Sequence, residues 1–142
     1  MLRRIAAGTF IVSLVTLVGC GGGSGDPVGV TQTPSGTVEL DELQTQIFTP
    51  RCATSGCHVG GSAPFGLDMS DGLTFGNTVN VASSEVPAFD IVEPGNAADS
   101  YLYMKVIDDP RILGDRMPAF QAPLSGQELQ LIETWINDGA NP

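Results

Sequence analysis

The stretch CATSGCH runs from Cys52 to His58. It contains two of the three Cys and the single His of the 142-residue chain. Thiol and imidazole groups are the side chains that proteins use to bond transition metals and prosthetic groups. We therefore expect that residues 52–58 carry the chemistry of the chain and that the fold is built around them.

Three interpretations of this stretch are open from the residues alone. C-x-x-C-H is the pattern of covalent haem attachment, in which two thiols reach one edge of a porphyrin and the next imidazole ligates the iron. Here the spacer has four residues, and Thr54-Ser55-Gly56 is small and flexible enough to bulge. Cys52 and Cys57 could instead form a disulfide, as is common in exported proteins. A zinc site is the third reading, but it would have only three ligands because no second pair follows.

Three methionines of the folded part are candidates for a second axial ligand. Met69 lies only eleven residues from His58, too close for an easy wrap to the opposite face. Met104 falls in a predicted helix, where core packing accounts for it. Met117 lies in a predicted loop before Pro118, whose ring fixes the backbone. A thioether ligand raises the reduction potential relative to two imidazoles.

The N-terminal residues 1–19 have the order of a secretory signal peptide, with two Arg, an apolar run over residues 5–18 and then a small residue. This run is shorter than the about 20 apolar residues that span a membrane as a helix. Leu17-Val18-Gly19-Cys20 resembles the lipobox of bacterial lipoproteins, which implies cleavage before Cys20 and acylation of that Cys. The implied location is the cell envelope, and Gly22 in place of Asp favours the outer membrane, facing the periplasm or the cell surface.

Residues 20–37 are predicted to be the lipidated Cys and a flexible tether, and residues 38–142 the folded domain. The stretch 21–37 has six Gly and no aromatic residue, so it cannot bury enough apolar surface to fold. Cleavage removes Arg3 and Arg4, so the exported chain has four basic against sixteen acidic residues, a net charge of −12 instead of −10. This excess of acid argues against nucleic acid as a partner, since phosphates need a basic surface.

The domain is predicted to be mainly α, with few short helices and long loops. Asp41 followed by Gln44 predicts a capped helix through Phe48 that Pro50 ends. A second helix is predicted over residues 100–107, capped by Asp99 or Ser100, with Leu102 and Val106 facing inward. Residues 59–98 and 108–124 are predicted loops of more than the usual length, and no strand pair is expected.

The last predicted helix has the clearest signals. Ser125-Gly-Gln-Glu128 is a capping box, and the apolar Leu129, Ile132 and Ile136 recur at intervals of three and four. Gly139 supplies the C-terminal stop. This helix is expected to pack against the helix at residues 38–48.

Together, Cys-x4-Cys-His, the loop Arg116-Met117-Pro118 and a terminal helix ending in Trp-Ile-x-x-Gly-Ala resemble a small c-type cytochrome domain over residues 40–142. The resemblance implies a cytochrome c-like fold around one haem c, attached at Cys52 and Cys57, with His58 and Met117 as axial ligands. The four-residue spacer and the long 59–98 segment depart from the family's pattern. Trp135, Phe120 and Leu129 are expected along the haem pocket. Two roles stay open for Tyr101, Tyr103 and Arg116, hydrogen bonds to the haem propionates or ordinary places on the surface.

The function that this resemblance implies is single-electron transfer by a membrane-tethered monohaem carrier, without turnover of a substrate. Its partners would be electron donor and acceptor proteins that present basic patches to the acidic surface. Two alternatives stay open. The chain could be the electron-transfer subunit of a separate envelope oxidoreductase, or a haem-free surface lipoprotein with a Cys52–Cys57 disulfide.

Overall fold

The fold of this chain is mainly helical, as predicted, in a computed structural model that describes residues 37–142. The predictions for the signal peptide, for Cys20 and for the tether through residue 36 lie outside these residues. The α-helices are α1 (Leu40–Leu43), α2 (Thr74–Thr78), α3 (Tyr101–Ile107) and α4 (Gly126–Asn137), and α1 runs directly into a π-helical segment, Gln44–Cys52. Short 3₁₀ turns occupy Gly60–Ser62, Pro64–Gly66 and Ala97–Asp99.

The first helical stretch differs from its prediction at both ends. Its N-cap is Glu39 instead of Asp41, and Pro50 lies inside the π-helical segment instead of ending the helix. Gln44 makes no capping contact, because its buried amide donates 3.0 Å hydrogen bonds to Thr49 Oγ1 and to the carbonyl of Met69. The wider π turn, with longer-range backbone bonds, accommodates the proline ring and carries the helix to Cys52.

The predictions for α3 and α4 are confirmed. Leu102 and Val106 of α3 are buried in the core, and Ser100 holds the N-cap position. The Ser100 hydroxyl does not cap the helix, however, because it accepts from the N–H of Glu93 and donates to Asn96 O. Ser125 and Glu128 form both halves of the capping box of α4, and Gly139 follows this helix with a φ of +106°. These signals succeed because each acts between residues a few positions apart.

The core lies between the π-helical segment and α4, as expected for the predicted pair. Phe48 and Trp135 are both fully buried, and their rings meet edge to face with centroids 6.2 Å apart. Leu43 and Ile47 are fully buried in the same cluster, which also holds Ile132. An edge-to-face aromatic pair is favoured over a stacked sandwich by the quadrupoles of the two rings.

The long segment 59–98, predicted as a loop, contains α2 and the 3₁₀ turns Gly60–Ser62 and Pro64–Gly66. The rest of it is ordered by irregular backbone bonds rather than by a sheet. Within residues 37–142 there are no strands, only isolated bridges that pair Val79 with Val92 and Ala82 with Asp90. The Ile91 N–H donates to Val81 O at 2.7 Å, and the Leu102 N–H donates to Ile91 O at 2.8 Å. This segment thereby joins the first residues of α3. None of the helices found over residues 37–142 is long and apolar enough to cross a bilayer.

Candidate functional site

A cavity of about 550 Å³ opens beside the CATSGCH stretch. Cys52, Cys57 and His58 all line it, together with Met117 from the loop before α4. Most of the remaining wall is apolar, with side chains that come from every part of the fold: Phe48, Leu67, Met69, Ile91, Leu102, Val106 and Ile132. This volume and this apolar lining are typical of sites that enclose a small molecule or a cofactor.

The four-residue spacer forms a compact loop that brings both thiols to the cavity. The N–H of His58 donates to Cys52 O at 3.0 Å, and the N–H of Cys57 donates to Thr54 O at 2.9 Å. Gly56 takes a φ of +82°, a left-handed conformation that glycine adopts without steric cost. Both cysteines are free and half-buried. The longer spacer is thus compatible with two thiols and one imidazole facing a common space.

The thiol of Cys52 is kept protonated by its surroundings. Burial raises its pKa to about 12, although the nearby charge of Arg51 works in the opposite direction. A neutral thiol is a poor nucleophile in disulfide exchange, where the thiolate is the reacting species. Cys52 therefore has the character of a buried apolar group that faces the cavity.

Arg51, next to the first thiol, ties the stretch to the C-terminal part of the fold. Its Nη1 lies 3.0 Å from Glu128 Oε1, in the first turn of α4, and its Nη2 donates to Ala122 O at 2.7 Å. Glu128 also accepts from the N–H of Ser125 in the capping box. Sequence reasoning missed this anchor because its partners lie more than 70 residues away and no local pattern marks them.

The ring of His58 is oriented by a backbone carbonyl. Its Nδ1 lies 3.1 Å from Leu67 O, and the His58 carbonyl accepts from the N–H of Met69 at 2.9 Å. A protonated Nδ1 donating to a carbonyl leaves Nε2 with a free lone pair, the arrangement that metal-ligating histidines use. Within the described residues, no three side chains of His, Cys, Asp or Glu group closely enough to hold a metal ion by themselves.

Two of the three candidate methionines reach the cavity. Met117 lines it and is half-buried, and its N–H donates to Lys105 O at 2.8 Å. Met69 also lines it, although only 3% of its surface is exposed. Met104 is fully buried and is absent from the cavity wall, as its predicted place in the core implies.

Several residues expected beside the cavity lie elsewhere. Trp135 and Leu129 do not line it, and the indole N–H of Trp135 donates to Asn141 O at 2.7 Å within the core. On α4, Ile132 lines the cavity instead. Tyr103 and Arg116 are also absent from the wall.

Tyr101 and Phe120 do line the cavity, as expected, but in different settings. Tyr101 is buried in the wall, whereas Phe120 is fully exposed. Phe65 is likewise an exposed lining residue, with 71% of its surface accessible. The two phenylalanine side chains therefore mark the mouth of the cavity.

The wall also contains an ion pair between a buried lysine and a partly buried glutamate, which the sequence did not indicate. Lys105 on α3 is only 7% exposed, and its Nζ lies 3.1 Å from Glu85 Oε2 and 2.8 Å from Leu113 O. The same ammonium lies 5.9 Å from the centroid of the Tyr101 ring. A lysine in a short helix is ordinarily solvated, so nothing in the sequence distinguishes this one.

Comparisons of the chain with protein-family models, with curated proteins and with solved structures found no match.

Proposed function

We propose that this protein is a monohaem c-type cytochrome that transfers single electrons between partners in the cell envelope. The observation that carries the proposal is the convergence of Cys52, Cys57, His58 and Met117 on one largely apolar cavity of about 550 Å³. Two thiols, an imidazole and a thioether are the side-chain set by which a c-type haem is attached and axially ligated.

The residues present fit such a group. The cavity wall is largely apolar, and His58 has an available Nε2 because Leu67 O engages its Nδ1. Both cysteines are free, and attachment requires reduced thiols. Bound haem would supply one-electron redox chemistry at its iron.

Cys52 and Cys57 would hold the group covalently. Each thiol would add across one vinyl group, so that a sulfur–carbon bond forms and the thiol hydrogen goes to the other vinyl carbon. No oxidant or reductant is consumed in this addition. Both cysteines line the cavity, and the loop between them is closed by the hydrogen bond from the His58 N–H to Cys52 O.

Met117 is favoured over Met69 as the second axial ligand. Met69 is tied to the segment of His58 itself, because its N–H donates to the His58 carbonyl. Met117 comes from a separate loop and is held by Lys105 O of α3.

The exchange of electrons would take place at the mouth of the cavity, where Phe65 and Phe120 are exposed. The acidic excess of the chain would draw partners that present basic patches. A lipid on Cys20 and the following tether would keep the domain at the membrane surface while it meets donor and acceptor. The same site would serve a free carrier or a subunit that feeds a separate oxidoreductase.

The test is expression together with a c-type haem maturation system. We expect a mass increase of one haem that survives denaturation, and sharp reduced absorption bands. Cys52→Ser combined with Cys57→Ser should abolish covalent attachment, and either substitution alone should leave at most one thioether bond. The control Ser55→Ala, in the same loop and exposed, should retain both bonds. A wild-type chain that carries no haem but contains a Cys52–Cys57 disulfide would establish the haem-free lipoprotein instead.

A further inference from the structure

We propose that Lys105 and Tyr101 are positioning residues for Met117, because they fix the backbone of Leu113 on the cavity wall. This inference rests on the proposed function, in which Met117 ligates the iron. It adds a role for a buried lysine that neither attachment nor axial ligation requires.

Both backbone groups of Leu113 are bound by side chains of α3. The N–H of Leu113 donates to Tyr101 Oη at 3.0 Å, and its carbonyl accepts from Lys105 Nζ at 2.8 Å. Tyr101 and Lys105 are four residues apart on one helix, so they share a face. The Lys105 carbonyl then accepts from the N–H of Met117 at 2.8 Å. Lys105 thus contacts the loop on both sides of the turn that leads to Met117.

The turn between these two contacts needs a particular backbone. Gly114 follows Leu113 directly and takes a φ of +68°, a conformation that favours glycine. The chain therefore reverses immediately after the clamped peptide and returns to Lys105 O three residues later. With Leu113 and Met117 both fixed, little freedom remains in the three residues between them.

Burying the Lys105 ammonium costs free energy, which indicates that its contact with the Leu113 carbonyl does more than close a loop. An ammonium that is 7% exposed loses most of its hydration, which Glu85 at 3.1 Å and the Leu113 carbonyl offset. The loop between α3 and Met117 also has an exposed anchor near its start, where Arg111 binds Asp99 at 3.0 Å and Ala98 O at 2.8 Å. The buried anchor lies nearer to Met117 and lines the cavity.

A preorganised ligand binds more tightly than one that must first be ordered. With the clamp in place, the Met117 thioether stays in the cavity and competes well with other ligands for the iron. Without it, the loop gains freedom, and an external ligand should displace the thioether more readily.

The experiment is imidazole titration of the ferric holoprotein, followed through the sulfur-to-iron charge-transfer band. In Lys105→Met the apparent imidazole affinity should rise roughly tenfold, the equivalent of losing one charge-assisted hydrogen bond. Tyr101→Phe removes only a hydroxyl, so it should fold and show a smaller rise. Lys105→Arg retains donors and should restore most of the wild-type affinity. Arg111→Gln, the matched control at the exposed anchor, should stay within about twofold, as surface changes usually do.

A double-variant cycle separates positioning from general loosening of the fold. Met117→Ala should give the highest imidazole affinity, and adding Lys105→Met to it should cause no further rise. A further rise in the double variant, or unchanged affinity in both Lys105→Met and Tyr101→Phe, would overturn the inference while covalent haem is present. A wild-type protein without covalent haem would overturn the proposed function itself.

Discussion

The rings of Phe48 and Trp135 meet edge to face at 71°, and only the first of the two lines the cavity. Trp135 therefore packs behind Phe48, on the core side of the π-helical segment. Cys52 follows Phe48 by four residues, and the Ala53 N–H donates to Phe48 O at 2.7 Å. The position of the first thiol consequently depends on how this aromatic pair packs.

This arrangement predicts different outcomes for two buried residues of α4. Trp135→Phe should lower the free energy of unfolding by about 1–3 kcal/mol, because volume and the hydrogen bond to Asn141 are lost. The absorption spectrum of the holoprotein should not change. Ile132→Ala should cost about 2–5 kcal/mol and should alter the spectrum, since Ile132 lines the cavity. Denaturant unfolding and visible spectra of both variants test this, and a spectral change confined to Trp135→Phe would contradict it.

The protonated state of Cys52 predicts slow alkylation in the haem-free protein. With Cys20→Ser and Cys57→Ser, Cys52 is the sole thiol, and its pKa of about 12 leaves little thiolate at neutral pH. Because the thiolate reacts, the rate should rise about tenfold per pH unit from pH 7 to 10 without levelling off. The same protein unfolded in denaturant should react faster at neutral pH and level off near pH 9. A folded rate that levels off there would contradict the burial of this thiol.

The exposed anchor at Arg111 predicts an unusually acidic carboxyl. Hydrogen bonds from the Arg111 guanidinium and backbone N–H lower the pKa of Asp109 to about 2. Since the folded pKa lies below the unfolded one, the contribution to stability is present above the unfolded pKa and is lost as pH falls toward 2. NMR titration of side-chain carboxyl carbons should show this, and Arg111→Gln should return Asp109 toward about 3.9. An unchanged value in Arg111→Gln would assign the shift to another cause.

The acidic surface predicts that electron transfer depends on salt. Residues 20–142 hold sixteen acidic and four basic residues, and three of those bases, Arg51, Lys105 and Arg111, are in ion pairs. Rates to a partner with a basic patch should fall as ionic strength rises, since charges more than about 10 Å apart are screened at 0.1 M salt. Stopped-flow measurements against a basic and an acidic redox protein would test this. Equal and flat salt profiles for both would speak against electrostatic docking.

The sequence predicted those parts of the fold that local interactions determine. The capping box of α4 and the apolar spacing of α3 act over three or four residues, so they can be read directly. The end of the first helical stretch could not be predicted in this way. Gln44 is held by Met69, 25 residues away, and a proline that usually stops a helix is tolerated in a π turn.

The residues of the candidate site could likewise be predicted only where a short motif marks them. The CATSGCH stretch and Met117 are visible as motifs, and the predicted site residues Cys52, Cys57, His58 and Met117 all line the cavity. No motif predicts the site residues Lys105, Glu85 and Arg51, because ion pairs between distant segments have no characteristic spacing in the sequence. Leu129 and Trp135 were expected on the cavity wall, yet Ile132 takes that place, since periodicity identifies an inward face without saying what that face meets.

The link between Arg51 and Glu128 has a consequence for the order of events during biogenesis. Arg51 is synthesised well before Ala122 and Glu128, so the guanidinium beside the first thiol lacks both of these partners until the C-terminal segment has been made. In the proposed function, the two thiols would be accessible to maturation enzymes during this interval. The folding of α4 would bring that period to an end.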